Sequence, residues 1–414
     1  MWPRRCVDVS RISSRVYWRW ISSGSGRRFA ALWGNGDHGR LGLGVLDSQW
    51  SPAVCKALEN QSLKSISCGG AHTLFLTETG RVYATGLNDF GQLGVSDMKS
   101  YSLVPVEVSG FPKEISKISA GYRHSSAISV DGELYMWGNN SSGQLGLGKK
   151  AAKAIPTPSR VFCLDDIKIR MVSLGSEHSI AVTDEGDVLS WGAGGSGRLG
   201  HDPQSSFLGF LRNTSEYTPR LIKKLEGVKV KAVSAGLLHS ACIIETGSIF
   251  IFGEGTMYKP GLSEKKNTSL PSTMSELPFC QEVACGGYHT CAIANGGELY
   301  TWGSNENGCL GVGSIDAIHV PEKVEGPLLR LSVCQVSCGW KHTAAICDGN
   351  VFTWGWGGSH GTFSIDGHSS GGQLGHGDDI DYFDPIMVNF GTEHVKALEI
   401  SCGFNHTGAI FEFI

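Results

Sequence analysis

Short apolar stretches broken by glycine run along the whole chain, and their chemistry is that of strands. His124-Ser125-Ser126-Ala127-Ile128-Ser129-Val130 ends at Asp131-Gly132, a dipeptide suited to a tight hairpin. Gly132-Glu133-Leu134-Tyr135-Met136-Trp137 then leaves that turn and runs into Leu, Tyr and Trp, residues that favour a pleated, half-buried surface. Glycine punctuates each turn, where the backbone needs positive φ or a close approach. The predicted elements are therefore short antiparallel strands joined by tight turns.

Two signals recur at a nearly fixed interval. A W-G frame is centred on Trp33, Thr85, Trp137, Trp191, Phe252, Trp302 and Trp354, with successive gaps of 52, 52, 54, 61, 50 and 52 residues. Four copies are fully written out: WGNGDHGRLG at 33–42, WGNNSSGQLG at 137–146, WGAGGSGRLG at 191–200 and WGSNENGCLG at 302–311. Alternating with it is a small-residue-Gly-x-x-His element that ends at His72, His124, His178, His239, His289, His342 and His406. A period near 50 residues is the mark of a propeller or an array. Radial repetition leaves only short, protected sheet edges, and the large aromatics fill the space between neighbouring sheets. The last unit stops at Ile414 without a W-G strand of its own, whereas Phe29-Ala30-Ala31-Leu32-Trp33-Gly34 is such a strand without a preceding unit. Residues 29–33 are expected to complete the blade that contains His406 and to shut the ring.

With these residues in view, the chain resembles the regulator-of-chromosome-condensation repeat family, over nearly everything from 29 to 414. The resemblance implies an all-β, seven-bladed β-propeller of repeats about 52 residues long, closed by joining the N- and C-terminal strands. A WD-repeat fold would need a shorter period and a W-D dipeptide.

Composition changes the picture at the N-terminus. Residues 1–28 hold seven Arg and one Asp, a net +6, so the remainder of this −4 chain carries −10. Arg11, Arg15 and Arg19 share one helical face, and Val9, Ile12, Val16 and Trp20 share another. A basic amphipathic segment poor in acids has the character of a mitochondrial transit peptide, and it lacks the unbroken apolar core of a secretory signal. A disordered basic arm is the alternative. The expected organisation is a leader at 1–28 and a propeller at 29–414, located in the mitochondrial matrix. An acidic body repels phosphate backbones, so direct RNA binding is not expected of it. No apolar run approaches the 18 residues of a membrane span. The 13 Cys are an odd number with no C-x-x-C pair, as for reduced thiols.

Familiar chemical motifs dissolve into the repeat. Gly34-Asn35-Gly36-Asp37-His38-Gly39 and Gly192-Ala193-Gly194-Gly195-Ser196-Gly197 match G-x-G-x-x-G, but Leu-Gly and a polar loop follow where a dinucleotide site needs a helix. His beside Cys68, Cys285, Cys338 and Cys402 resembles a metal set, yet the same slot holds Ala120, Leu174 and Ala235, as a buried apolar position would. No cofactor, metal or catalytic residue is expected.

Function is then sought where units depart from the frame. One departure is an insertion at 356–370, with Trp356, His360, Phe363, Asp366 and His368 as candidate contacts; a second, at about 201–218, carries Phe207–Leu211. Apolar residues in an extra loop suit a partner contact, although loops also tolerate insertion without function. The other departure is the x-x pair before each His. It supplies Tyr122, Arg123, Leu237, Leu238, Tyr288, Trp340, Lys341 and Phe404, which ring geometry places on one face; packing near a central channel is the competing role. The family resemblance implies three functions. Guanine-nucleotide exchange on a small GTPase would use the 356–370 loop as a wedge, but no exchange motif matches residue by residue. Ultraviolet-B sensing needs Trp in several adjacent G-W-x-H elements, and only Trp340 occupies that slot. The chain most resembles the plant mitochondrial members. They imply a scaffold, not an enzyme, that acts through protein partners in organellar transcript processing and splicing and in respiratory complex I biogenesis.

Overall fold

The computed structural model describes residues 26–97, 99–202, 204–205, 211–212, 215–257, 266–358, 371–391 and 394–414. They form seven four-stranded antiparallel sheets. Blade 1 runs through Leu63–Cys68, His72–Thr77, Val82–Leu87 and Tyr101–Val108. Blades 2 to 6 repeat the order from Ile115, Ile169, Val230, Cys280 and Val333. Blade 7 is shared: Val395–Cys402 and His406–Phe413 come from the C-terminus, Arg28–Gly34 and Gln49–Val54 from the N-terminus. Phe29 pairs with Phe411 and Trp33 with Thr407, so the expected closure is present in register. A two-stranded ribbon, Gln204–Ser205 with Leu211–Arg212, extends from the blade 3 insertion.

Apolar side chains between adjacent blades form the core. Trp33, Trp137, Trp191 and Trp354 are fully buried. The frame that carries them is a latch between blades. The Nε1–H of Trp137 donates to the carbonyl of Gln92, that of Trp191 to Gln144 and that of Trp354 to Cys309, at 2.8–2.9 Å. Each acceptor is the residue just before the Leu-Gly of the preceding unit, so one unit's W-G reads the previous unit's x-Leu-Gly. Gly138 must be glycine here. Its φ is +100°, and a Cβ on it would lie 2.7 Å from the Arg123 carbonyl oxygen.

The G-x-G-x-x-G matches lead into isolated 3-10 turns at Asp37–Gly39 and Gly195–Gly197. Neither turn is long enough to hold a pyrophosphate as a helix would. The basic leader, Phe207 and its neighbours to Phe210, and residues 359–370 with His360, Phe363, Asp366 and His368 lie outside the described residues.

Candidate functional site: an aromatic shelf at the axis

The second strand of every blade begins with the repeated His, and these seven residues build a closed ring. His72 Nε2 meets Ser125 Oγ at 2.9 Å, His124 meets Ser179 at 3.3 Å and His178 meets Ser240 at 2.9 Å. His239 and His289 meet Thr290 and Thr343 at 2.9 Å, His342 meets Thr407 at 3.0 Å, and His406 returns to Thr73 at 2.9 Å. Six of these hydroxyls also reach a carbonyl of the latch, from Thr73 on Arg40 to Thr407 on Gln373, at 2.8–2.9 Å. A hydroxyl has one proton. Given to the carbonyl, it leaves the oxygen as an acceptor, so the imidazole donates from Nε2 and Nδ1 carries a lone pair. Burial pushes His72, His289 and His342 down to about 3, and His124 and His239 to about 4. His178 and His406 are also held well below the ordinary value, first by burial and then by nearby cations. Neutral, interlocked imidazoles are the ring's structural cement.

Inside this ring the inner strands end in small residue, Gly, x. Backbone donors knit the x positions together: the N–H of Gly70, Tyr122, Leu237, Gly287 and Phe404 donates to the Gly carbonyl of the next blade at 3.0–3.1 Å. The side chains at x are thereby spared for other work. They open onto an axial cavity of about 140 Å³, lined by all seven x residues and the Gly and small residues before them.

The cavity mouth is asymmetric. Trp340 stacks on Phe404 with ring centroids 4.4 Å apart and planes 13° from parallel. Phe404 in turn meets Tyr122 at 5.3 Å. Blade 1 lies between those two, and its x residue is Gly70. A Cβ on Gly70 would sit 2.6 Å from Tyr122 Cδ2, so the absent side chain is what lets Tyr122 reach across. On the other side of Trp340, Gly287 leaves room for that residue, its hypothetical Cβ being 2.3 Å from the Trp340 carbonyl oxygen and 2.5 Å from Trp340 Cδ1. Tyr122, Phe404 and Trp340 thus make a continuous shelf, opposed by Ser176 and Leu237.

The second members of the x-x pairs do not line the cavity. They turn toward the gaps between blades. Arg123 pairs with Asp89 at 3.2 Å and lies over the Phe90 and Tyr122 rings. Lys341 pairs with Glu306 at 3.2 Å and caps Trp340. Tyr288 is 46% exposed, and Leu238 is half-buried. Within the pairs expected on one face around the axis, only the first members line the cavity: alternation along the strand start sends the first member inward and the second outward.

The two departures from the frame converge. Trp356, first residue of the insertion, is 5% exposed and meets Trp340 edge-on at 5.7 Å. The insertion's stem is clipped, with Gly372 N–H donating to the Gly357 carbonyl at 2.9 Å. The loop thus leaves and rejoins the propeller beside the shelf. Two further residues support the cavity rim from opposite sides. Arg40 Nη1 donates to the Gly70 carbonyl at 3.3 Å, and Arg198 Nη1 to the Leu237 carbonyl at 3.3 Å. Burial lowers Arg40 to about 10. Their sequence signal is G-R-L-G, where Gln92, Gln144, Cys309 and Gln373 occupy the same slot.

A seven-bladed ring with this latch defines a class. The family model for the RCC1-like domain matches residues 30–409, and the chain belongs to that family. It is 33% identical to the ultraviolet-B receptor UVR8 of Arabidopsis thaliana, over 89% of this chain and 81% of that protein. It is 32% identical to the mitochondrial RCC1 domain-containing protein RUG3 of Arabidopsis thaliana, over 76% of this chain and 71% of that one. A secretion-regulating guanine nucleotide exchange factor of Bos taurus is 30% identical over 75% of this chain and 69% of its own length. Among solved structures, Prp20p from Saccharomyces cerevisiae superposes with a TM-score of 0.80 at 21% identity, covering 96% of this chain and 94% of that one, which shows the shared fold.

Proposed function

We propose that this protein is a mitochondrial interaction scaffold whose partner docks on the Trp340–Phe404–Tyr122 shelf and the adjoining 356–370 loop. The observation that carries the reading is the shelf itself: aromatic side chains grouped around a cavity on a rigid ring, with the Tyr122 and Phe404 backbones tied to the next blade independently of their rings. Aromatic anchors beside a pocket are the usual energetic centre of a protein interface. The basic leader and the likeness to a plant relative named as mitochondrial support the location. The resemblance to organelle-targeted members narrows the role to transcript processing and splicing, and through them to complex I biogenesis. With an acidic body, action runs through proteins of mitochondrial RNA processing, not through the transcript directly.

The test is a tagged pull-down from isolated mitochondria with and without RNase, comparing wild type with W340A and F404A. RNase-resistant recovery of RNA-processing proteins, lost in both variants, supports the reading. Absence of the protein from mitochondria, or tight binding of transcripts by the pure protein at physiological salt, defeats it. Exchange on a small GTPase is the second reading. The insertion stem beside the shelf and the likeness to an exchange factor favour it. Enrichment of one GTPase in its nucleotide-free form would install it instead.

A further inference from the structure

Seven interfaces between blades share one architecture, and one of them differs in chemistry. Each brings the residue two past the repeated His against the small-residue slot of the next blade. None of the other facing pairs holds two sulfurs: Ala241 meets Cys285, Ala344 meets Cys402, and Gly408 meets Cys68, whose Sγ would lie 3.1 Å from a Cβ at Gly408. Between blades 5 and 6 the pair is Cys291 and Cys338. Their sulfurs and a ring nitrogen of His289 all lie within 4.8 Å of one another.

We propose that Cys291, Cys338 and His289 form a binding site for a soft, filled-shell divalent cation, Zn2+ in the first instance. Two sulfurs and an imidazole are the ligand set such an ion prefers. It imposes little geometry of its own, and Zn–S bonds of about 2.3 Å place two sulfurs about 3.8 Å apart. Binding releases the two thiol protons to solvent. The resulting pair of thiolates balances the divalent charge, so the buried site is neutral, whereas a monovalent ion would leave it at −1. His289 is buried, and its Nδ1 has no hydrogen-bond partner. Cys338 lines the axial cavity, which supplies an entry path and room for water as a fourth ligand. The ion would bolt blade 5 to blade 6 directly below Trp340, two residues from Cys338. Small apolar filling, the role of this slot elsewhere, needs no second sulfur opposite the first.

The experiment uses the reduced full chain under anaerobic conditions, titrated with Zn2+ against a chromophoric chelator and with Co2+ as a spectroscopic probe. Wild type and C402A should each take up one equivalent and show a sulfur-to-cobalt charge-transfer band. C291A and C338A should lose the band and bind Zn2+ at least about 100-fold more weakly, the upper end of what losing a ligand's own hydrogen-bond partner costs. Both variants should fold, because Ala241 and Ala344 occupy the Cys291 position, and Ala120 and Ala235 the Cys338 position, in other blades. Zn2+ should also shield the partly exposed Cys338 of the wild type, and not Cys163, from alkylation mapped by mass spectrometry, a readout independent of variant folding. No uptake by wild type, uptake unchanged in both Cys variants, or a Cys338 thiol left unshielded by Zn2+ would overturn the proposal.

Discussion

Replacing Ser125 by alanine removes one oxygen atom from the His ring and should cost the fold about 2 kcal/mol. Ser125 is fully buried. Its hydroxyl accepts from His72 Nε2 at 2.9 Å and donates to the Gln92 carbonyl at 2.8 Å. That carbonyl keeps the Trp137 indole as a donor at 2.9 Å, so its loss is small. The imidazole fares worse. Its Nδ1 already has no partner, and the ring is held neutral at about 3, so S125A strands its one N–H in a dry interface. An orphaned buried donor costs about 1–3 kcal/mol and a lost net hydrogen bond about 0.5–1.5 kcal/mol; the two overlap, which sets the central value. Volume hardly changes, so no cavity term adds. Equilibrium urea unfolding at pH 7 reads the effect, with Ser126→Ala as the control. Ser126 is equally buried, but its hydroxyl makes a single bond of 3.3 Å to Ser119 within its own blade. S125T should restore stability, since Thr73, Thr290, Thr343 and Thr407 fill the slot elsewhere. If S125A unfolds within about 0.5 kcal/mol of wild type, the range of neutral surface changes, or costs no more than S126A, the ring is not the cement described above.

Acid should loosen the ring as a whole. The folded His values lie near 3–4 where resolved to a number, against 6.5 unfolded. Between those limits the unfolded chain binds more protons, so stability falls as pH drops from about 6.5 toward 4. Glu282 and Glu399 oppose this, because burial lifts both to about 7 and favours their protonated folded forms as pH falls. E399Q should therefore steepen the acid loss seen in a pH series of unfolding midpoints. At the shelf, W340A and F404A should weaken partner capture by at least roughly 30-fold, the 2 kcal/mol mark of an interface hot spot, as measured by titration calorimetry with the recovered partner. Deleting residues 359–370 should leave the melting temperature within about 2 °C of wild type, because the stem is closed by its own Gly372–Gly357 bond and loop length enters stability only logarithmically. The same deletion should impair partner capture.

Much of the ring was legible because its chemistry is periodic. The W-G and Gly-x-x-His frames name the residues of the latch and of the imidazole ring, and the orphan strand at 29–33 predicts closure with the strand from His406. The shelf was only half legible. Tyr122, Trp340 and Phe404 stand out as departures from the frame. The Tyr122–Phe404 contact, however, depends on what is missing at Gly70, and a glycine inside a glycine-rich motif carries no visible signal. Strand alternation, which separates Tyr122 from Arg123 and Trp340 from Lys341, was available but is hard to phase across a Gly-rich bend. Trp356 looked like part of a loop, whereas the structure buries it against Trp340.

The x positions show why such a ring can carry different functions on one frame. Stability at the axis comes in good part from atoms that side-chain substitution cannot remove: at five of the seven x residues the N–H donates to the carbonyl of the next blade's glycine. It comes also from the His–hydroxyl circuit one layer out, which x side chains do not join. A mutation at x therefore changes the cavity lining while leaving the circuit intact, provided the neighbour's reach is respected. Gly70→Ala fails that proviso, since its Cβ would collide with Tyr122. Recognition and cohesion thus rest on different atoms of the same short segment. A surface that holds Trp340, Phe404 and Tyr122 on one side and Ser176, Leu237 and Gly287 on the other presents its partner with a direction as well as a pocket.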